Sequence, residues 1–171
     1  MVLAAGGTIT AYYRGAFAKD GPYTSIPNPC DLMHGDAFTH YFSEGRRSDL
    51  GMDDGEDTCD IDWKRGTDIP PRDRAMVSLS IKLFHHRGHV DATDVAIADL
   101  NKEFNFDTTI HTDSRGYTCT PTMSDYGAGA GAVCIVGNLR LELDADLVTK
   151  PDPVQTVTDL LKPVLDNMSS A

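Results

Sequence analysis

The chain has 171 residues, 40% of them hydrophobic, and 26 acidic against 15 basic side chains, a formal net charge of −11. That length fits one domain with a sizeable core, and the apolar content excludes a chain disordered throughout. So negative a field repels phosphate backbones and anionic headgroups, which disfavours nucleic acid as a partner and adsorption to a charged membrane surface.

The first thirteen residues, MVLAAGGTITAYY, are apolar and small, and end in two tyrosines before Arg14. Aromatic residues beside a cation mark the water-facing end of a spanning helix. The run is too short for a hydrocarbon core of about 30 Å. It also lacks the basic start of a signal peptide and has no cysteine for a lipid. Residues 1–14 therefore read as the outer part of a truncated membrane anchor or export segment. A first strand is the alternative, since Thr8, Ile9, Thr10, Tyr12 and Tyr13 favour extended backbone. Residues 15–29, GAFAKDGPYTSIPNP, are rich in proline and glycine and read as an extended, solvent-facing linker. The folded domain then spans 30–171.

After Cys30, Leu32, Met33, Phe38, Tyr41 and Phe42 recur at roughly helical intervals, which predicts one short helix over 31–42. Residues 45–58 read as a polar, acidic loop. From Cys59 to Arg65 the pattern alternates: Cys59, Ile61 and Trp63 face one way, Asp60, Asp62 and Lys64 the other. Pro70 and Pro71 then break the chain. A second alternating strand covers Met76 to Phe84, with Val77, Leu79, Ile81 and Leu83 inward.

A helix is predicted over Val90 to Phe104. Asp91 is its N-cap, Val90 and Val95 form a hydrophobic staple, and Ala96, Ile97, Leu100 and Phe104 form its apolar stripe. A strand near Thr108 to Thr112 follows, then a loop over Asp125 to Gly131. Ala132 to Val136 and Leu139 to Ala145 read as a hairpin turning at Gly137-Asn138. Asp152-Pro153-Val154-Gln155 starts a last helix. Its buried stripe is Val154, Val157, Leu160, Leu161, Val164, Leu165 and Met168, with Pro163 kinking or limiting it. The whole predicts an α+β fold: one antiparallel sheet with helices packed on it.

The four cysteines, Cys30, Cys59, Cys119 and Cys134, form no C-x-x-C pair and have no histidine at zinc-finger spacing. Three pairings are open. Closing one local segment each favours Cys30–Cys59 and Cys119–Cys134, worth about 3 kcal/mol for a loop of about 15 residues and somewhat more for a longer one. Four free thiols in a reducing cytosol are the alternative. The anchor-like start favours disulfides and an extracytoplasmic location, secreted or membrane-anchored.

The order Cys30-Asp31-Leu32-Met33, a strand opening Cys59-x-x-x-Trp63, a Gly/Ala-rich loop, a Gly137-Asn138 hairpin and a closing amphipathic helix resembles a known group. It is similar to the small extracytoplasmic domains of unknown function in actinobacterial envelope lipoproteins and single-pass membrane proteins. The likeness covers roughly residues 29–168, although the interval from Cys59 to Trp63 is longer than in that pattern and His34 stands where a Ser/Thr cap is usual. The resemblance implies an exported, anchored domain without established chemistry, and by analogy a ligand sensor. A second, partial likeness joins Cys119-Thr120-Pro121-Thr122 and Cys134 to the first disulfide loop of secreted subtilisin inhibitors. The later disulfide carrying that family's protease-binding loop has no counterpart here.

Among chemistry-bearing patterns, His85, His86 and His89 in HHRGH follow a strand, with His111 and Asp113 elsewhere, and clustered imidazoles ligate zinc, copper or nickel. Gly88 interrupts any helical H-x-x-x-H register, so the competing reading is a solvated turn. Asp49, Asp53, Asp54, Glu56, Asp57, Asp60 and Asp62 supply oxygens of the kind calcium takes, without EF-hand order. Ser78 and Ser80 lie on a strand face with no nucleophile elbow. The stretch DYGAGAG lacks the lysine and the helix context of a phosphate loop. Trp63 reads chiefly as a core anchor.

The expectation is thus a noncatalytic extracytoplasmic domain binding a small ligand or an envelope protein, with Trp63, Tyr126 and Asp54 as candidate ligand-lining residues and no cofactor. The alternatives are an exported hydrolase or metal-dependent enzyme built on the histidines, and a secreted protease inhibitor.

Overall fold

The computed structural model describes residues 18–42, 46–53, 55–63, 75–104, 111–112, 117–123, 129–147 and 153–168. Among them are four helices, α1 (Pro29–Leu32), α2 (Asp36–Phe42), α3 (Ala92–Phe104) and α4 (Pro153–Met168). The strands are β1 (Arg46–Asp53), β2 (Glu56–Trp63), β3 (Ala75–Leu83), β4 (His111–Thr112), β5 (Thr118–Met123), β6 (Gly129–Val136) and β7 (Leu139–Leu147). The strands form one antiparallel sheet in the order β1-β2-β3-β7-β6-β5-β4. The first three are a meander. The chain then crosses by way of α3 to the far edge and works back until β7 lies beside β3. The architecture is α+β, as the periodicities predict.

Alternation splits the sheet into two faces. One carries Cys59, Val77, Leu79, Ile81, Ala132, Cys134, Leu139, Leu141 and Leu143, and buries them with Leu32, Phe38, Val157, Leu160 and Val164 of α1, α2 and α4 and with Met33 just after α1. The other carries Val133 and Ile135, covered with Phe84 by Ala96 and Leu100 of α3. Both disulfides take the locally closing arrangement: Cys30–Cys59 ties α1 to β2, and Cys119–Cys134 joins directly opposed residues of β5 and β6. Burial of these apolar faces is the main stabilising term.

Several expectations are corrected. The single helix over 31–42 is two, because the Asn28 side chain and Pro29 start α1 and Gly35, at φ +120°, turns the chain before α2. The acidic loop over 45–58 holds β1 and the start of β2. An edge strand needs no alternating apolar face, and its bulge between Asp49 and Gly51 blunts the edge. Polar β5 was likewise not expected; its Pro121 lies two residues past Cys119, the last β5 residue in the described pairing with β4. Strand β6 starts at Gly129, inside the expected loop. In α4, Val154 is 52% exposed while Thr156 is buried, and Pro163 does not end the helix. Residues 1–17, which hold the expected anchor (1–14) and the start of the expected linker, lie outside the described residues.

Candidate functional site

Residues 18–28, expected to be a linker, are extended but bonded into the domain. The Lys19 amide donates to Asp91 Oδ1 (2.8 Å), and the Lys19 carbonyl accepts from the Ala92 amide at the start of α3 (2.9 Å). Asp91 stands directly before α3, where its carbonyl accepts from the Val95 amide (3.0 Å), and its side chain holds this strap. Asn138, in the β6–β7 turn and fully buried, donates to the carbonyls of Tyr23 and Phe84 and accepts from the Tyr23 amide. Burial pushes the Tyr23 phenol above its ordinary value, with the neighbouring Tyr117 adding to the shift.

The HHRGH segment is a tight turn. Arg87 and Val90 exchange backbone hydrogen bonds at 3.1 Å each way, and Gly88 sits at φ +62°, a conformation that favours glycine. His85 and His86 lie 3.9 and 3.8 Å from Asp20 of the strap, whose carboxylate also accepts the His86 amide. His89 is on the opposite side of Gly88, within the turn, and His111 pairs with Cys119 in the sheet. Among the described residues no group of three His, Cys, Asp or Glu side chains is placed to hold a metal ion.

The turn builds something else with its arginine. Between it and α3 runs a groove of about 520 Å³, lined by Lys82, Phe84, Arg87, Val90, Val95, Ala98, Asp99 and Lys102. Its apolar lining combines buried Phe84 with Val90, which is left 37% exposed. The Lys82 ammonium lies over the Phe84 ring, 5.6 Å from its centre. Sheet register sets Lys82 directly beside Arg140 on the same face, a like-charge pairing that costs stability unless anions intervene. Arg140, almost fully buried, is met by Asp99 at 3.1 Å and Glu142 at 3.4 Å. The one acid lining the groove is thereby occupied, and among the described residues none forms an ion pair with Lys82, Arg87 or Lys102. A second cavity, of about 490 Å³ between the strap and the start of α3, is lined by Lys19, Asp20, Gly21, Pro22, Asp91, Thr93 and Asp94. Asp20 and Asp91 there already serve to hold the strap.

Farther along the α3-side face, Thr122 and Asp144 close over Gly131 from both sides, leaving no room for a β-carbon there. The Thr122 hydroxyl is buried with no hydrogen-bond partner among the described residues, and burial raises the Asp144 carboxyl above its usual value.

Of the candidate ligand-lining residues, Trp63 ends β2 opposite Ala75, while Tyr126 and Asp54 lie outside the described residues. The groove residues Lys82, Arg87 and Lys102 carried no motif. The one signal for them was three cations within a short, otherwise acidic stretch that also supplies Phe84 and the apolar residues Val90 and Val95. Among the described residues no helix is long and apolar enough to cross a membrane. The two disulfides are compatible with an extracytoplasmic location. Comparison of the chain with family models, curated proteins and solved structures finds no match.

Proposed function

We propose that this chain is an exported, noncatalytic envelope domain that binds a small ligand in the groove between α3 and the Arg87–Val90 turn. The observation that carries the reading is the groove itself, about 520 Å³ and lined by Phe84, Val90, Val95 and Ala98 together with three cations. Volumes of this size, apolar with a few polar groups at the edge, are what small-molecule sites have. The rest of the fold suits the role. A sheet covered on both faces and tied by two disulfides gives the groove a rigid frame, and disulfides persist in oxidising compartments. The likeness of its cysteine, hairpin and closing-helix order to actinobacterial envelope domains points the same way, with residues 1–14 as the anchor.

The test is a thermal-shift screen of small anionic, cationic and neutral compounds against the native chain and Ala98→Trp. Ala98 is exposed on α3 and lines the groove, so the indole fills the groove without disturbing the core. Compounds that raise the melting temperature of the native chain should fail to raise that of the variant. Equal shifts in both chains, or no shift with any compound, would sink the reading.

A further inference from the structure

Resting on that reading of the groove, we propose that its ligand is a small amphipathic anion: one carboxylate or phosphate head on an apolar body. Four observations converge on this chemistry.

The first is charge. In a chain of net charge −11, the groove gathers Lys82, Arg87 and Lys102 around a single acid, Asp99, which is already bonded to Arg140. Exposed charges farther away than about 10 Å are screened at ordinary ionic strength, so the nearby cations outweigh the distant negative surface. The second is the missing partner. Lys162 meets Asp166 at 3.0 Å and Arg140 meets two carboxylates, while Lys19 beside the other cavity forms no ion pair among the described residues. The three at the groove meet none among the described residues, although Glu56 flanks Lys82 on β2.

The third is the apolar lining. Phe84, Val90, Val95 and Ala98 line the same groove, and the Lys82 ammonium lies over the Phe84 ring. A purely ionic ligand would leave that surface wet, whereas an apolar body covers it. The fourth is geometry. Lys82 stands on the strand, Arg87 in the turn and Lys102 in the last turn of α3, so three separate elements bring cations to one groove. A head group bound there accepts charge-assisted hydrogen bonds from more than one of them, and its tail lies against the apolar lining.

Calorimetric titration of the whole chain tests this with sodium decanoate and octyl phosphate, each below its micellar concentration. Octyl glucoside serves as the neutral head and acetate as the tail-less anion. The expected result is binding of one or both amphipathic anions, with octyl glucoside and acetate at least ten-fold weaker, and the preferred anion distinguishes carboxylate from phosphate. Shortening decanoate to octanoate should weaken binding roughly fourfold per methylene removed. Arg87→Met and Lys102→Met, both at exposed positions, should each weaken decanoate about ten-fold. Lys162→Met on α4 should not change it. Octyl glucoside binding as tightly as decanoate would overturn the anionic head and leave the groove reading standing. Acetate binding as tightly would overturn the apolar body. Binding that ignores Arg87→Met and Lys102→Met would overturn the site. No binding of any probe, with no hits in the thermal screen, would remove both the inference and the reading beneath it.

Discussion

The Asn138 side chain and the Tyr23 backbone form a two-way hydrogen-bonded pair across 115 positions of sequence: the Tyr23 amide donates to Oδ1 at 3.0 Å, and Nδ2 donates to the Tyr23 carbonyl at 2.9 Å. Nδ2 also reaches the Phe84 carbonyl at 2.9 Å, so one buried amide joins the strap, the hairpin turn and the end of β3. Removing it strands buried backbone groups, each worth about 1–3 kcal/mol when left unpaired. Asn138→Ala should therefore cost about 2–4 kcal/mol in urea unfolding, with the Tyr23 amide losing protection in hydrogen exchange. A change below about half a kcal/mol would mean that the strap is not held this way.

Gly21 packs on that same amide at φ +86°, and a β-carbon there would lie 2.6 Å from Asn138 Cγ. Gly21→Ala should release the strap while the sheet remains folded. Proteolysis is the readout: cleavage near Lys19 should accelerate while the rest of the chain stays resistant.

The Cys30–Cys59 bond anchors four-residue α1 to β2 across a sequence separation of 29. Replacing both cysteines by serine should lower stability by about 3–4 kcal/mol. The native chain with reductant should lose at least as much, since both bonds then open. Equal urea midpoints with and without reductant would contradict a stabilising role for the bonds.

Asp144 has no hydrogen bond or ion pair among the described residues, and burial raises its carboxyl above 3.8. The folded chain therefore keeps this proton to higher pH than the unfolded chain does. Stability is lost to the group as pH rises from 3.8 through the raised folded value, and the penalty is full above it. Asp144→Asn should melt at a higher temperature than the native chain at neutral pH, and the gain should fade as pH falls below 3.8. A lower melting temperature at neutral pH would show that the carboxylate has a stabilising partner.

Arg140 is 7% exposed and bonded to Asp99. Arg140→Met leaves that acid facing the groove cations, so the variant should lose about 3 kcal/mol of stability and also bind decanoate more weakly. Adding Asp99→Leu should restore part of both losses. Full additivity of the two substitutions would mean that they act independently.

Strands β2, β3 and β7 were legible because each alternates over a buried face, and α3 and α4 because their stripes repeat at helical spacing. Edge strand β1 and polar β5, flanked on its outer side by two-residue β4, were not, since a strand at or next to an edge need not bury a continuous apolar side. The strap was hidden by its prolines and glycines, which read as linker when considered without Asn138, a partner more than a hundred residues away. The groove was hidden because Lys82, Arg87 and Lys102 come from a strand, a turn and a helix, and only the folded chain brings them together. In HHRGH the histidines attracted the metal reading, while the arginine is the residue that faces the groove.

The most direct measurement is amide chemical-shift mapping of the isotope-labelled chain titrated with decanoate. Perturbations should be confined to the Arg87–Val90 turn, Lys82 and the Val95, Ala98 and Lys102 side of α3. Perturbations centred on Lys19–Pro22 and Asp91–Asp94, or none anywhere, would contradict binding in this groove.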